Sequence, residues 1–214
     1  MNMRRAAFVG SVALTLFLTN SVSAQTFLQA ILTNGQENPP AVPTLNGGGA
    51  RPASFGTALF VLNAAKTSMT FTATVFNIDF TGLQTVDKND DLLTAHIHAD
   101  AVQAANYPAV WGFFGIPFND NNPNDNVITP FLNGVGGTIS GKWDLTEGNG
   151  TTLTAQIPNI LAGRSYIDFH TTQFGGGEVR GALVVTPEPS TVVLLSAGLF
   201  GVALVARRRK QNTR

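Results

Sequence analysis

Hydrophobic and polar residues alternate with a period of two along most of the chain between its apolar ends. Successive side chains of a β-strand point to opposite faces, so this alternation is typical of strands with one buried face. No segment of this region shows a helical period. Clusters of Gly, Asn and Pro separate eight predicted strands, at residues 27–33, 55–62, 68–80, 92–99, 138–145, 151–157, 165–171 and 178–185.

The longest predicted strand, 68–80, changes phase near its end. Its apolar side chains occupy odd positions from Met69 to Val75 and even positions from Phe76 to Phe80. A phase change within a strand indicates a bulge or a move from one sheet to another. Antiparallel strands of this kind bury their apolar faces in a sandwich or a barrel.

Turn residues predict how these strands are connected. Asn149-Gly150 is typical of a type I′ hairpin turn, in which both central residues have positive φ. Two longer loops are predicted at 35–52, which is rich in Pro and Gly, and at 115–137, which contains an Asn-rich run.

The first 24 residues differ from this β-rich body. Arg4 and Arg5 precede an apolar run, and small residues follow it at Val22 and Ala24. This order is typical of a secretory signal peptide at 1–24, so we predict Sec-type export and cleavage by signal peptidase before Gln25. A membrane anchor would need about 20 apolar residues, and this run is shorter.

The other end of the chain also carries an apolar segment. Residues 191–206 are nearly all apolar, and they are followed at once by Arg207, Arg208, Arg209 and Lys210. A run of this length could just cross a bilayer, and its basic end belongs on the cytoplasmic side. We therefore predict one C-terminal transmembrane helix in the inner membrane, with the body outside the cytoplasm. A buried core helix is the alternative, but four consecutive cations would pack poorly at its end.

A short motif stands directly before this run, at Pro187, Glu188 and Pro189. The motif, the apolar run and the basic end, in that order, resemble the PEP-CTERM sorting signal of Gram-negative bacteria. The resemblance implies processing by an exosortase, removal of the tail at 187–214, and release to the cell surface or an exopolysaccharide matrix. The domain that remains would be the β-rich body at 25–186.

The formal net charge of zero conceals an acidic body. Seven of the 13 basic residues lie in the terminal segments, and all 13 acidic residues lie between Gln25 and Ser190, which leaves that region a net charge of −7. This balance argues against nucleic acid as a partner, because such proteins cluster Lys and Arg. The chain has no cysteine, which excludes disulfides, thiolate chemistry and cysteine-ligated metals.

All three histidines lie in two of the predicted strands. His96 and His98 share one face of their strand, and Tyr166, Asp168 and His170 share one face of another. Two imidazoles from one strand and a third from a neighbour match a three-histidine metal site with an open position, for zinc or copper. The alternative is that neutral histidines hydrogen-bond to the backbone, Asp168 or Tyr166 and maintain the strand register.

The body carries four further motifs, namely Asn-Gly-Gln-Glu-Asn-Pro-Pro-Ala-Val at 34–42, Ala-His-Ile-His at 95–98, Tyr-Ile-Asp-Phe-His-Thr at 166–171 and Gly-Glu-Val-Arg-Gly at 177–181. In this order they resemble the CHRD (chordin) domain family. The resemblance implies an extracellular, immunoglobulin-like Greek-key sandwich or barrel, similar in its histidine strand to Cu/Zn superoxide dismutase. That enzyme uses more histidines than three and carries a disulfide, so its activity is not expected here. Family members usually have Asn at the position of Asp168.

Other polar positions carry weaker hypotheses. Glu178 and Arg180 share a strand face, which favours an ion pair with each other or across strands. Asp120, Asn122 and Asn124 offer oxygen ligands for calcium, but the run lacks the Gly and the final Glu of an EF-hand, which favours a solvated loop.

Two functions follow from these patterns. The first is a non-enzymatic surface or matrix module that contacts protein or polysaccharide, since no catalytic motif is found. The second is a metal-binding envelope protein that uses His96, His98 and His170 and could carry out redox chemistry.

Overall fold

The computed structural model describes residues 24–100, 102, 105–187, 195–203, 207 and 211. The predicted signal peptide therefore lies outside the described residues except for Ala24. Parts of the predicted tail also lie outside them, namely Glu188 and Pro189, 190–194, 204–206, Arg208, Arg209 and Lys210, and 212–214. The described part of the body has ten strands, one α-helix and a short 3-10 turn at Asn34–Gln36. The strands are β1 (Thr26–Thr33), β2 (Phe55–Leu62), β3 (Ser68–Phe76), β4 (Leu92–Ala99), β5 (Ala109–Phe114), β6 (Val127–Pro130), β7 (Gly136–Asp144), β8 (Ser165–Thr171), β9 (Val179–Ala182) and β10 (Val184–Thr186).

One antiparallel sheet contains all ten strands, in the order β5-β4-β8-β9-β1-β2-β3-β7-β6, and β10 pairs with β1. The sheet curls into a half-barrel. Its concave face carries the core, in which Trp111 on β5 stacks on Trp143 on β7 with ring centroids 5.4 Å apart. The prediction of an antiparallel β-fold is confirmed. In place of the expected sandwich or barrel, the fold is a single continuous sheet that curls into a half-barrel.

Alternation in the sequence gives the sheet its two faces. On β2, Ala58, Phe60 and Leu62 are buried, whereas Phe55 and Leu59 point outward and are exposed. On β8 every residue is buried, because loops cover the face that does not contact the core. A strand buried on both faces can hold polar groups away from water, and this strand carries Asp168 and His170.

The phase change at the end of the third predicted strand marks the end of that strand. β3 stops at Phe76, and Asn77 adopts φ +65°, a left-handed conformation that breaks the strand. Ile78 and Phe80 are nonetheless buried, because the loop after the turn folds back on the core. The predicted bulge or move between sheets is therefore wrong.

The segment predicted as a strand at 151–157 is instead a helix, α1 (Leu153–Leu161). Thr152 caps its first turn by accepting the N–H of Ala155, and its buried residues include Leu153, Ile157 and Ile160. These positions follow the helical period. The sequence also alternates apolar and polar residues from Leu153 to Ile157, and Pro158 is unusual within a helix, so the pattern by itself predicts a strand. The expected hairpin at Asn149-Gly150 is also wrong, because these residues connect β7 to α1 and only Gly150 has positive φ.

Two strands were not predicted, and one predicted strand is divided in two. β5 lies outside every predicted strand, and β6 falls inside the expected loop 115–137. Both lie among Gly, Pro and Asn residues that indicate turns. The last predicted strand, 178–185, is divided into β9 and β10, which meet different parts of β1.

The expected transmembrane helix at 191–206 is described only in part. Residues 195–203 are helical. Among the described residues, no helix has both the length and the apolar character needed to span a membrane.

Candidate functional site

Strands β4 and β8 place the three histidines on the side of the sheet opposite the core. In their antiparallel register His96 pairs with Asp168, and His98 pairs with Tyr166. Ile97 on β4 and Phe169 on β8 point the other way and are buried in the core. The register therefore brings the two predicted polar faces together on adjacent strands, as the shared-face argument requires.

The three imidazoles form one cluster. His96 and His170 have ring centroids 4.9 Å apart, and His98 lies 5.7 Å from the first and 5.8 Å from the second. One nitrogen of each ring lies within 4.8 Å of a nitrogen of both others. The rings are 6–9 % exposed, so loops rather than solvent surround most of their surface.

Burial keeps all three imidazoles neutral at neutral pH. It lowers the pKa of His96, lowers the pKa of His98 to about 4 and lowers the pKa of His170 to about 3. Mutual repulsion between the rings adds to the lowering for His98 and His170. A neutral imidazole has one N–H and one nitrogen lone pair, so the hydrogen-bond partners identify which nitrogen carries the proton.

In each ring, one nitrogen faces away from the other two histidines and contacts a backbone carbonyl; we call it the outer nitrogen, and the other the inner nitrogen. A carbonyl oxygen only accepts hydrogen bonds, so the nitrogen that faces it must carry the proton. The three pairs are His96 Nε2 with the Ile116 carbonyl at 3.2 Å, His98 Nδ1 with the Tyr107 carbonyl at 2.8 Å and His170 Nδ1 with the Gly175 carbonyl at 3.2 Å.

Gly112 on β5 allows one of these loops to approach. A Cβ at this position would lie 1.7 Å from the carbonyl oxygen of Pro117 and 3.0 Å from the ring of His96. No side chain fits in that space. The glycine therefore lets the loop that contains Ile116 contact His96.

A pair of buried carboxyl groups adjoins the cluster. Asp168 hydrogen-bonds to Glu37, and its Oδ2 lies 3.9 Å from Nε2 of His170. Burial raises the pKa of Asp168 well above its usual value, and the nearby charge of Glu37 raises it further. Burial also raises the pKa of Glu37. The raised pKa of each group favours its protonated form, and Arg180 supplies a cation 3.7 Å from Glu37.

Two further residues of the family motifs hold this pair in place. Gly177 has φ +121°, and a Cβ there would lie 2.8 Å from oxygen atoms of both Asp168 and Glu37. The guanidinium of Arg180 lies 4.6 Å from the centre of the Tyr166 ring, a cation–π contact. All four sequence motifs thus meet around this site, although they are separated by up to 140 residues along the chain.

Glu178 contacts a partner that was not expected. Its Oε2 lies 2.7 Å from Arg51 in the loop before β2, and the two side chains are 0 % and 3 % exposed. Arg180 pairs instead with Glu37, so the predicted ion pair between Glu178 and Arg180 is wrong. Glu178 lies just before β9, where its carboxylate accepts a hydrogen bond from Thr171, whereas Arg180 lies beside Glu37. The two-residue spacing had predicted that Glu178 and Arg180 share a face. Arg51 carried no sequence signal for this role, since it lies 127 positions away in a loop.

The Asn-rich loop does not bring its candidate calcium ligands together. Asp120 is fully buried, whereas Asn122 and Asn124 are exposed. Asn124 accepts the N–H of Asn126 in a local turn. Glu147, which the sequence did not single out, organises this loop by accepting the N–H groups of Asn121 and Asn122.

Because Asp120 is buried, we predict that Asp120→Asn raises the free energy of unfolding by an amount that depends on pH. Burial, with the charges of nearby carboxylates, raises the pKa of Asp120 to about 6. The folded state therefore favours the protonated acid, and that contribution is lost as pH rises from about 4 through about 6. We expect Asp120→Asn to be more stable than the wild type by about 2 kcal/mol at pH 7.5 and nearly equal to it at pH 4, measured by urea unfolding.

The reverse substitution at an exposed position of the same loop serves as the control. Asn124→Asp adds a carboxylate in water, so its effect on stability should be nearly independent of pH. If Asp120→Asn raised the free energy of unfolding equally at pH 4 and pH 7.5, the raised pKa of Asp120 would be contradicted.

A second carboxylate cluster lies in the loop after β3. Oxygen atoms of Asp79, Asp90 and Asp91 lie within 4.8 Å of one another. Asp79 already accepts the N–H of Thr81, and Lys88 lies 3.4 Å from Asp91. The loop's own donors therefore balance much of this charge.

Comparisons with known proteins agree with both sequence resemblances. A model of the CHRD domain matches residues 28–183, and a model of the PEP-CTERM protein-sorting motif matches residues 185–210. Neither a curated protein nor a solved structure matches the chain significantly. The sorting motif implies Sec-type export and processing by an exosortase. Since the first model covers well over half of the 214 residues, the chain belongs to the CHRD domain family and carries a C-terminal PEP-CTERM sorting motif.

Proposed function

We propose that this protein is a cell-surface or exopolysaccharide-matrix component whose CHRD domain is a non-catalytic structural or binding module. The tail holds the exported chain in the inner membrane, with the β-domain in the periplasm, until an exosortase removes the tail. The released domain then contacts polysaccharide or other matrix proteins.

The junction between domain and tail is the observation that carries this proposal. β10 ends at Thr186, which pairs with Phe27 on β1, and the sorting motif begins at Pro187. Cleavage after Thr186 would therefore leave all ten strands in the released product. A removable tail needs such a boundary, at which no strand of the fold is cut.

Exposed apolar side chains in the tail support an anchoring role. In the described helical residues 195–203, the side chains of Leu195, Leu199, Phe200 and Val202 are 65–69 % exposed. They do not contribute to the core of the β-domain. A bilayer would cover such side chains favourably, which agrees with transient membrane attachment.

The convex face of the sheet supports a contact role for the domain. Phe55 on β2 stacks on Phe76 on β3 at 4.8 Å, and Phe131 lies 5.0 Å from Phe76. Ile31 and Leu59 are also exposed on this face, at 63 % and 61 %. Exposed apolar patches on a soluble domain commonly mark contact surfaces, and flat aromatic rings suit the apolar faces of sugars.

The buried polar residues of the family motifs support a structural role. Asn34 donates a 2.7 Å hydrogen bond to the carbonyl of Glu178 and thereby ties the loop after β1 to the start of β9. Arg180 donates to Asn106 at 2.9 Å and joins β9 to the loop before β5. These residues hold distant segments together, which is what a rigid module requires.

Deletion of 187–214 tests the sorting half of the proposal. We expect the full chain to be membrane-bound in cells that lack exosortase and to reach the extracellular matrix fraction in cells that have it. The truncated chain should be soluble in the periplasm of both strains, because it lacks the apolar run and the motif. Fractionation and immunoblotting measure the outcome.

Single substitutions provide the matched control. Glu188→Ala alters the motif but keeps the apolar run, so it should leave the chain in the membrane even when exosortase is present. Gln211→Ala lies beyond the basic end and should behave as the wild type. A full-length chain that fractionates as soluble without exosortase would refute the proposal.

A further inference from the structure

We propose that His96, His98 and His170 bind one divalent transition-metal ion, zinc or copper, through His96 Nδ1, His98 Nε2 and His170 Nε2. This goes beyond a structural or contact role for the domain. These three nitrogens are the inner nitrogens of the cluster, where the rings point toward one another.

The backbone contacts determine which atoms are available. Each outer nitrogen donates its N–H to a carbonyl, so the inner nitrogen of each neutral ring carries a lone pair. The three lone pairs converge, and no hydrogen lies between them. Ligating histidines in proteins typically donate their other N–H to a backbone carbonyl or a carboxylate, as these three do.

A purely structural role does not explain the inner nitrogens. Nδ1 of His96 and Nε2 of His170 lie 3.2 Å apart, but neither has a proton to donate to the other. Nε2 of His98 is buried and has no hydrogen-bond partner. An unpartnered buried polar atom is costly, and two facing lone pairs repel each other. A cation between the rings would satisfy all three atoms.

The spacing is close to that of a real metal centre. Three nitrogens about 2.05 Å from a tetrahedral ion are about 3.3 Å apart. The separation of 3.2 Å between His96 and His170 meets this value. The other separations do not exceed 4.8 Å, so moving the His98 nitrogen by at most about 1.5 Å toward the other two completes the set.

Asp168 gives the cluster an acidic neighbour. Its Oδ2 lies 3.9 Å from the inner nitrogen of His170, and its Oδ1 is buried without a hydrogen-bond partner. If a bound dication displaced its proton, this carboxyl would supply negative charge, or an oxygen for a fourth ligand position.

The donor set indicates the class of metal. Imidazole nitrogens favour zinc and copper, whereas calcium and magnesium prefer oxygen ligands. The chain has three histidines and no cysteine, so specific binding of these metals by nitrogen donors would have to use this cluster.

The first experiment measures metal binding by the full chain, purified without a polyhistidine tag in mild detergent and stripped with chelator. Titration calorimetry and elemental analysis with Zn²⁺ and with Cu²⁺ should give one ion per chain for at least one of them. His96→Ala, His98→Ala and His170→Ala should each weaken binding at least tenfold. Asp91→Asn, in the separate acidic cluster, should leave the affinity unchanged.

The second experiment needs no variant and therefore does not depend on how well the variants fold. Nitrogen-15 spectra of the metal-free wild type should show the N–H on His96 Nε2, His98 Nδ1 and His170 Nδ1. Adding the metal should shift the other three ring nitrogens. The proposal is overturned if neither ion binds stoichiometrically, if binding survives loss of any one histidine, or if the inner nitrogens do not shift.

Discussion

Glu178→Gln is expected to lower the free energy of unfolding by about 3–5 kcal/mol. The substitution keeps the shape of the side chain but removes the charge that balances Arg51. Arg51 is 3 % exposed and would remain as a buried cation without its counter-ion. Losing one partner of a buried pair costs far more than the pair contributes, because the remaining charge is not solvated. Urea unfolding of the full chain, followed by circular dichroism, measures the change.

The surroundings of Glu178 increase this cost. Ser54 and Thr171 both donate hydroxyl hydrogen bonds to its carboxylate, the second at 2.5 Å. An amide accepts at only one of its two polar atoms, so one of these donors would face an NH₂ group. The pair also joins the loop before β2 to the segment just before β9, so its loss loosens both segments, the second of which belongs to the motif at 177–181.

Two controls test whether the cost of Glu178→Gln comes from leaving a buried charge unpaired. Lys88→Met breaks the Lys88–Asp91 pair, in which the lysine is 59 % exposed, and should cost less than about 1 kcal/mol. Arg51→Met combined with Glu178→Gln removes both charges and should recover part of the stability lost in Glu178→Gln. A loss below about 1 kcal/mol for Glu178→Gln would show that the pair is hydrated.

Trp111→Ala is expected to destabilise the domain by about 3–5 kcal/mol. Trp111 is fully buried and contacts Trp143, Phe71 and Phe113, with ring centroids 5.4–5.7 Å away. The truncation removes a large apolar surface and leaves a cavity that the curled sheet cannot fill. It also removes the indole N–H that Glu147 accepts at 3.3 Å.

Losing Trp111 should destabilise more than its immediate surroundings, because its ring joins two distant strands. β5 and β7 lie near opposite ends of the strand order, and the Trp111–Trp143 stack joins them across the concave face. Near-ultraviolet circular dichroism of the tryptophans and urea unfolding should both change. Leu132→Ala, at a side chain that is 99 % exposed, is the control and should alter stability by less than about 0.5 kcal/mol. An equal effect of the two substitutions would contradict the core assignment.

Glu178 lies near the histidine cluster without belonging to it, whereas Trp111 lies in the core on the other side of the sheet. Two of the loops that deliver carbonyls to the imidazoles lie beside residues of the 177–181 motif. Arg180 donates to Asn106, next to Tyr107, and Glu178 follows Gly175 by three positions. The rigidity of this region matters for either function, because a contact module needs a fixed surface and a metal site needs fixed ligands. Loss of Glu178 should therefore also disturb the histidine resonances.

The sequence predicted the histidine cluster but not its surroundings. Period-two alternation placed His96 with His98, and His170 with Asp168, because side-chain direction in a strand depends only on position along that strand. Gly177 and Glu37 were visible as parts of motifs but had no assigned contact. Arg51 had no local signal at all. Its role depends on a loop that folds back 127 positions along the chain.

Local pattern thus established the β-rich class, the faces of β1, β2, β4 and β8, and the C-terminal sorting motif, because each depends on neighbouring residues alone. Three-dimensional contacts established the rest. Pairing order, the single curled sheet and the partner of Glu178 depend on encounters between distant segments, which alternation does not encode. The segment that became α1 satisfied both periods in its first turn, and packing of Leu153, Ile157 and Ile160 selected the helix. The protonated nitrogen of each histidine was likewise chosen by carbonyls from three loops.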